Sequence, residues 1–283
     1  MLTYQTAIRD KQKNSWNTFS PGWKKWDDFT MRFLHAQGER IIEHLKLKPE
    51  DRVLDIAAGT GEPGLTIASI VHRGSVTAVD LSEGMLQIAR ENADSKAISN
   101  FQTLVADACE LPFEDNSFDA VSCRLGFMFF PDMELAAREM IRVLKPGGKL
   151  ATTVWGEPAK NLWITAVVGA IKNYTDFPAP PPGDPGMFRC AQPGFMKTLF
   201  EEAGLYGGAE TEINGEMDCS SVDEYLAFMG DVVPPVVAAF KATGPAIQSK
   251  IEEDVHKVLE EKLPGARKSI PFGARLFTAE KQA

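Results

Sequence analysis

The chain alternates between short runs of apolar, mainly β-branched residues and longer segments in which apolar residues recur every three or four positions. The longer pattern follows Gly64, where apolar residues from Leu65 to Val71 would share one face of a helix. This alternation is typical of an α/β domain built on a parallel sheet. The predicted strands are the runs at Val53, SVTAVD, Asn100–Asp107, Phe118–Cys123 and KLATTVW, which ends at Trp155.

The segments outside this core predict a helix before it and an elaborated second half after it. Met31–Leu45 has the periodicity of an amphipathic helix. The proline-rich stretch Pro178–Gly186 predicts a loop, whereas YGGAETEINGEMD and FGARLFTAEK alternate like strands. A helical insertion between those strands is interrupted by Pro234 and Pro235. We therefore expect a flap and helix over 1–50, a cofactor-binding core over 51–156, and a remainder over 157–283 with cap insertions at about 157–190 and 220–268.

Three of the five tryptophans lie in one short N-terminal stretch, at Trp16, Trp23 and Trp26, together with Phe19. Their spacing resembles one helical face, although Pro21 and Gly22 are expected to interrupt the helix. Two interpretations remain open. The aromatic residues either close as a mobile flap over the cofactor and exclude water, or pack as a strap on the outside of the domain.

The glycine cluster in VLDIAAGTGEPG predicts a tight turn between the first strand and a helix. Gly59 and Gly61 would let the backbone approach a ligand, and the helix would direct free N–H groups toward it. The pattern Gly-x-Gly-x-x-Gly also fits a dinucleotide site, so a nicotinamide-dependent oxidoreductase is an alternative. Asp55, however, suits a ligand with an ammonium group, such as the methionine moiety of S-adenosylmethionine, unless this carboxylate only caps the turn.

Acidic residues also end the next two predicted strands. Asp80 is placed to accept hydrogen bonds from both hydroxyls of an adenosine ribose, and Leu81 and Met85 could sandwich the adenine. Asp107 could accept from the adenine amino group while the N–H of Ala108 donates to a ring nitrogen. Because the carboxyl ends of parallel strands meet at one edge, these residues should form a single site.

Charge and composition exclude several other classes of protein. The 283 residues carry a formal charge of −9, the pI is about 5.1, and no basic stripe stands out, so no nucleic-acid partner is expected. The first residues lack the apolar core of a signal peptide, and no apolar run could span a bilayer, so a cytoplasmic protein is expected. The four cysteines are widely spaced, which suggests neither a metal site nor a disulfide framework.

The segments VLDIAAGTGEPG, VTAVDLSEGML, VADACELPFEDNSFDAV and VLKPGGKLATTVW, in this order and spacing, resemble the class I S-adenosylmethionine-dependent methyltransferases. The similarity is to the branch that contains the ubiquinone and menaquinone biosynthesis enzymes. It implies a Rossmann-like α/β fold with a seven-stranded, mostly parallel sheet, a reversed final hairpin, helices on both faces and helical cap insertions. It also implies S-adenosyl-L-methionine as cofactor, S-adenosyl-L-homocysteine as product, Arg124 beside the donor, and donor contacts at Asp55, Ala57, Gly59, Gly61, Asp80, Leu81, Met85, Asp107 and Ala108.

The acceptor is expected to be a small, apolar or aromatic molecule, bound by Trp16, Phe127, Phe130 and Trp155. No catalytic dyad stands out, as expected when catalysis consists mainly of positioning a nucleophile. His35 is a candidate base. The long insertion and the sequence RLGFMFFPD depart from the quinone enzymes, so the atom that is methylated stays open. A homodimer is possible, and a non-catalytic module that binds the donor or its product is the remaining alternative.

Overall fold

The computed structural model describes residues 4–177, 181 and 183–282, which form one seven-stranded sheet and eleven α-helices. The spatial order of the strands is β3-β2-β1-β4-β5-β7-β6. β1 to β5 run parallel, and β7 is antiparallel to both β5 and β6. The predicted sheet and its reversed final hairpin are therefore confirmed. The strands are β1 (Arg52–Ile56), β2 (Ser75–Asp80), β3 (Phe101–Val105), β4 (Phe118–Arg124), β5 (Leu144–Trp155), β6 (Ala209–Cys219) and β7 (Lys268–Glu280).

The order of the strands reverses next to β1. From β1 the chain moves outward to β2 and β3, and then returns to the other side of β1 for β4 and β5. Right-handed crossovers place the connecting helices of the two halves on opposite faces of the sheet. Ligands bind at such a reversal point, beyond the carboxyl ends of the strands.

The helices cover the sheet and add a cap after the fifth strand. Two short 3-10 helices, Phe127–Phe129 and Pro158–Lys160, follow β4 and β5. The helices are α1 (Tyr4–Lys25), α2 (Asp27–Phe33), α3 (His35–Leu45), α4 (Gly64–Ile70), α5 (Glu83–Ser95), α6 (Met133–Val143), α7 (Leu162–Lys172), α8 (Phe195–Glu202), α9 (Val222–Val232), α10 (Pro234–Ala242) and α11 (Pro245–Lys262).

The N-terminal helix runs through the residues that were expected to interrupt it. α1 is continuous across Pro21 and Gly22. Proline removes the N–H that would bond to the carbonyl of Asn17, and the hydroxyl of Ser20 donates to that carbonyl instead, at 3.0 Å. The missing glycine side chain also lets the helix approach α9, because a Cβ at Gly22 would lie 2.1 Å from the carbonyl oxygen of Asp231.

Two other expected boundaries are corrected. The helix expected over Met31–Leu45 is divided into α2 and α3 at Leu34, whose carbonyl accepts a hydrogen bond from Arg124 at 3.4 Å. The third strand is shorter than Asn100–Asp107, because Asp107 turns back to form an isolated bridge with Glu110.

The cap is formed by α7 and by α9 to α11. Pro234 begins α10, where its missing N–H costs nothing, so the two prolines separate two helices. Within the described ranges, no single helix has the length and apolarity to cross a membrane; α9 and α10 together meet both criteria but are bent by 96°. In the expected loop Pro178–Gly186, residues 178–180 and 182 lie outside the described residues, and the others form neither helix nor strand.

A buried amide joins the cap to the sheet. Asn161 is fully buried, and its Nδ2 group donates to the carbonyls of Gly273 at 2.9 Å, Glu157 at 3.0 Å and Gly156 at 3.3 Å. Its Oδ1 atom accepts from the indole N–H of Trp163 at 2.9 Å and from the N–H of Gly273 at 3.2 Å. This side chain therefore fixes the start of α7 against β7.

Candidate functional site

The carboxylate of Asp55 lies near the end of β1 and is hydrogen-bonded to the backbone of the glycine turn. It is fully buried, with Oδ1 accepting from the hydroxyl of Ser122 at 2.7 Å and Oδ2 accepting from the N–H of Gly64 at 3.1 Å. Burial raises the pKa of Asp55 to about 7, although the two hydrogen bonds and Arg124 oppose this effect. In this structure the carboxylate caps the turn, which is one of the two expected roles, and its contact with a ligand ammonium group stays a prediction.

Gly59 and Gly61 serve different purposes in the turn. Gly59 has φ +55°, and a Cβ there would meet nothing within 4 Å, so its backbone faces open space in the cavity. Gly61 has φ +112°, and a Cβ there would lie 2.8 Å from Leu65 Cδ1 and 3.3 Å from Ala89 Cβ. Gly61 is thus required for packing between helices, whereas Gly59 and Ala57 line the cavity.

Asp80 ends β2 and organises the loop that follows it. Its Oδ2 atom accepts from the N–H of Gly59 at 3.0 Å, and its Oδ1 atom accepts from the N–H of Ser82 at 2.8 Å. Burial raises the pKa of Asp80, and these backbone hydrogen bonds oppose that shift. The carboxylate keeps lone pairs toward the cavity, where Leu81 and Met85 lie beside it.

The residues that follow β3 contribute to the cavity wall mainly through small residues, while the side chain of Asp107 bonds to the backbone of its own turn. Ala108 and Ala106 line the cavity. The Oδ1 atom of Asp107 accepts from the N–H of Cys109 at 2.9 Å, so this carboxylate stabilises the turn. Its expected role toward an adenine amino group stays a prediction.

Arg124 ends β4 and lines the same cavity. Its guanidinium group donates to the carbonyl of Leu34 at 3.4 Å and contacts the Met31 sulfur at 3.9 Å. Burial lowers the pKa of Arg124, and the negative charges of Asp55 and Glu62 oppose that shift. Its expected place beside a bound donor stays a prediction.

All of these strand ends open into one cavity of about 1330 Å³. Pockets that hold a single drug-sized ligand measure about 300–1,000 Å³, so this cavity has room for two molecules. Gly59, Asp80 and Met85 lie at one end of it. The rest of the wall is mainly apolar and comes from α1, from the ends of α2 and β5, and from the cap, including Trp16, Phe19, Trp23, Phe33, Trp155, Trp163, Ile164, Val168, Phe228, Val232 and Val233.

Three of the four residues expected to contact the acceptor lie in the wall, namely Trp16, Phe130 and Trp155. Phe127 is corrected, because its ring is fully buried against Phe130 and Phe200, with centroid distances of 5.3 and 5.4 Å. The 3-10 turn after β4 directs Phe129 into the wall instead, where it meets Trp16 edge to face at 5.5 Å.

His35 is also corrected as a candidate base. Its side chain is 69% exposed and pairs with Glu39 at 3.0 Å on the outer surface of α3. Among the described residues that line the cavity there is no histidine.

Several wall residues were not predicted from the sequence. Phe33, Trp163 and Phe228 lie on amphipathic or apolar helices, and their spacing is that of ordinary core residues. At these positions the sequence pattern is the same for a cavity wall and for a packed core.

Comparisons with known proteins agree with this architecture. A family model described as a methyltransferase domain matches residues 54–152. A demethylmenaquinone methyltransferase of Listeria monocytogenes is 30% identical over 213 residues, which are 69% of this chain and 87% of that protein. A ubiquinone/menaquinone biosynthesis C-methyltransferase of Ectopseudomonas mendocina is 41% identical over 132 residues, 46% of this chain and 52% of that protein.

A solved structure of similar fold contains the demethylated product of the donor. Phosphoethanolamine N-methyltransferase 2 of Haemonchus contortus, in complex with phosphomonomethylethanolamine and S-adenosylhomocysteine, has a TM-score of 0.58 and 19% identity. The alignment covers 100% of this chain and 61% of that chain. At this identity the likeness shows the fold alone.

The family model and the demethylmenaquinone methyltransferase relative together show that the chain is an S-adenosylmethionine-dependent methyltransferase. Within that class, the chain belongs to the family that includes the demethylmenaquinone methyltransferases. The resemblance inferred from the sequence is confirmed. The chain is therefore an enzyme with S-adenosylmethionine as cofactor, and the nicotinamide alternative is set aside.

Proposed function

We propose that this methyltransferase acts on a small acceptor with a largely apolar or aromatic body. The observation that supports the proposal is the single cavity, which runs without a partition from Gly59 and Asp80 to an aromatic wall at Trp155 and Trp163. A donor and an acceptor could lie in contact there while the surrounding rings exclude water. The core over 51–156 would bind the donor, and the insertions at about 157–190 and 220–268 would shape the acceptor site.

The donor end fits adenosylmethionine in its shape and in its polar groups. Open space at Gly59 accommodates a ligand close to the backbone, and Asp80 presents acceptor lone pairs for two ribose hydroxyls. Met85 and Leu81 offer an apolar surface for a flat ring. When bound, this cofactor supplies an electrophilic methyl group that is transferred by in-line displacement.

The acceptor end supports orientation by packing. Trp155 lies 4.7 Å from Trp163 and 5.8 Å from Phe33, measured between ring centroids, so these rings pack into one aromatic cluster whose edges line the cavity. Such a cluster would hold an aromatic or alicyclic ring against the donor end. The described wall residues include no histidine but do include the carboxylates of Asp176 and Asp184, so an acceptor that must lose a proton would have to use one of these groups or solvent.

The names of the relatives suggest the first acceptors to test. They describe demethylmenaquinone and quinone-biosynthesis methyltransferases. Reduced demethylated quinones with short side chains should therefore be compared with other aromatic and alicyclic compounds. Transfer of a radiolabelled methyl group to an apolar extract would support the proposal. Transfer confined to highly charged metabolites or to macromolecules would refute the acceptor class.

A binding experiment separates the donor site from the choice of acceptor. The Asp80→Ala variant should lose most of the thermal stabilisation given by S-adenosylhomocysteine, because the proposed ribose acceptor is removed. Asp94→Ala, on the exposed side of α5, is the matched control and should retain it. Equal stabilisation of both variants would contradict the role of Asp80.

Three further proposals follow from the sequence: the protein forms a homodimer, it resides in the cytoplasm, and it has no nucleic-acid partner. Sedimentation would test the first of them.

A further inference from the structure

Helix α1 lies between the donor side of the domain and the cap. It packs against α5 on one side and α9 on the other. Toward α5, the Nζ atom of Lys24 lies 2.7 Å from Glu91. Toward α9, the Nζ atom of Lys25 lies 2.7 Å from Asp231, which also accepts from the indole of Trp26 at 2.8 Å. Each of these exposed ion pairs adds little to the free energy of folding, so other contacts must hold α1 in place.

A partly buried polar contact of α1 is made by Asn17. Its Oδ1 atom accepts from the hydroxyl of Ser82 at 2.8 Å and from the N–H of Gly84 at 3.0 Å. Helix α1 and the start of α5 approach closely here, because a Cβ at Gly84 would lie 2.7 Å from the hydroxyl of Ser20. Since the backbone N–H of Gly84 can only donate, the atom of Asn17 that faces it must be the oxygen.

This contact continues directly into the donor site. The hydroxyl of Ser82 caps α5 by accepting from the N–H of Met85 at 3.1 Å. The N–H of Ser82 donates to Asp80, which in turn accepts from Gly59. Asn17 is thus hydrogen-bonded to the same loop whose two ends, Asp80 and Met85, line the donor end of the cavity.

The opposite face of α1 forms the acceptor wall. Trp16, the neighbour of Asn17 in sequence, lies 5.5 Å from Phe129 and 6.1 Å from Trp23 between ring centroids, and all three rings line the cavity. A shift of α1 away from Ser82 would therefore move the aromatic wall.

We propose that Asn17 is a positioning residue that couples the donor site to the acceptor wall. Donor binding at Asp80 and Met85 orders the loop that carries Ser82, the ordered loop holds Asn17, and α1 is fixed over the cavity. Coupling of this kind is reciprocal, so loss of the contact also weakens donor binding. The inference rests on the donor site of the proposed function, and it assigns to α1 a state that depends on the donor.

Hydrogen exchange of the α1 amides tests the coupling, with S-adenosylhomocysteine as the probe. In the wild type, saturating S-adenosylhomocysteine should slow exchange over residues 4–25. Asn17→Leu keeps the size of the side chain but removes the acceptor, so exchange in α1 should be on the order of tenfold faster, and the probe should no longer slow it. Asn17→Asp keeps an oxygen for both donors and should restore the response. Thr18→Ala alters an exposed residue bonded only to its own helix, and is the matched control.

Calorimetry with the same probe distinguishes this inference from the assignment of the donor site. Asn17→Leu should bind S-adenosylhomocysteine on the order of fivefold more weakly than Thr18→Ala. If Asn17→Leu speeds exchange but the probe still slows it as in the wild type, Asn17 is merely structural and the inference is wrong. If the wild type does not bind the probe at all, the donor site itself fails, and the inference fails with it.

Discussion

The buried carboxyl group of Asp55 should make the stability of this enzyme depend on pH in an unusual direction. Its pKa is raised by burial to about 7 in the folded protein, against about 3.9 in an unfolded chain. Between these values the folded state binds the proton and the unfolded state does not, so the free energy of unfolding falls as the pH rises. The contribution is fully present below about pH 4 and is lost as the pH rises through 7.

The magnitude follows from the same pKa values. Between pH 5 and pH 7 the folded state holds a proton that the unfolded state lacks, and above pH 7 both states are ionised. Each of these two pH units lowers the free energy of unfolding by about 1.36 kcal/mol, so the loss from pH 5 to pH 8 is about 2.7 kcal/mol. Asp55→Asn places a neutral amide in the same space. Its oxygen can accept from Gly64, and its NH₂ group can donate to the hydroxyl of Ser122. The variant should therefore lack this part of the pH dependence.

Urea unfolding of the wild type and of Asp55→Asn at pH 5 and pH 8, without ligand, measures the effect. Relative to the wild type, the variant should gain about 2.7 kcal/mol between the two pH values. The comparison cancels the titration of all other groups. Asp94→Asn, on the exposed surface of α5, is the control and should give a profile parallel to that of the wild type. Parallel profiles for Asp55→Asn as well would show that the carboxyl group at 55 is ionised throughout and that burial does not govern its pKa.

Two further substitutions test the structural roles assigned above. Gly61→Ala should destabilise the fold by about 3 kcal/mol, because it combines a positive φ with contact against α4 and α5, whereas Gly147→Ala, at φ +76° with open space around it, should cost only about 1 kcal/mol. Equal losses in urea unfolding would contradict the packing role of Gly61. Asn161→Ala should cost about 3 kcal/mol or more, because several buried backbone and indole groups lose their partner. Asn173→Ala, which breaks one exposed hydrogen bond to Asp254, should cost under about 0.5 kcal/mol, and a similar cost for both would refute the assignment.

The donor edge could be predicted from the sequence because it depends on strand ends. Parallel strands bring Asp80 and Ala108 to one edge regardless of how the helices pack. The roles of Asp55 and Gly61 could not be separated in this way. The motif shows which residues are small or acidic, but whether they face the ligand or the helix behind it depends on Leu65, Ala89 and Ser122, which only the folded structure brings into contact.

Helix α1 shows a second limit of prediction from local pattern. Pro21 and Gly22 normally end a helix, and the rule fails here because Ser20 satisfies the carbonyl that proline leaves free. The hydrogen bond from Ser20 is a local contact, but the helix continues because of tertiary contacts. Gly22 must be small to pack against Asp231, and Asn17 must face Ser82.

The two ends of the cavity therefore encode their specificity differently. The donor end is built from residues at strand termini, where few substitutions preserve both backbone shape and hydrogen bonds. The acceptor end is built from the inner faces of α1, α7, α9 and α10, where apolar side chains can change while the helices remain packed. A family with this construction can keep one donor and diversify its acceptors. Under the proposed function, the choice of acceptor would follow from how Trp163, Val168 and Val232 shape the chamber, and the contact that we propose for Asn17 would link that chamber to the donor site through α1.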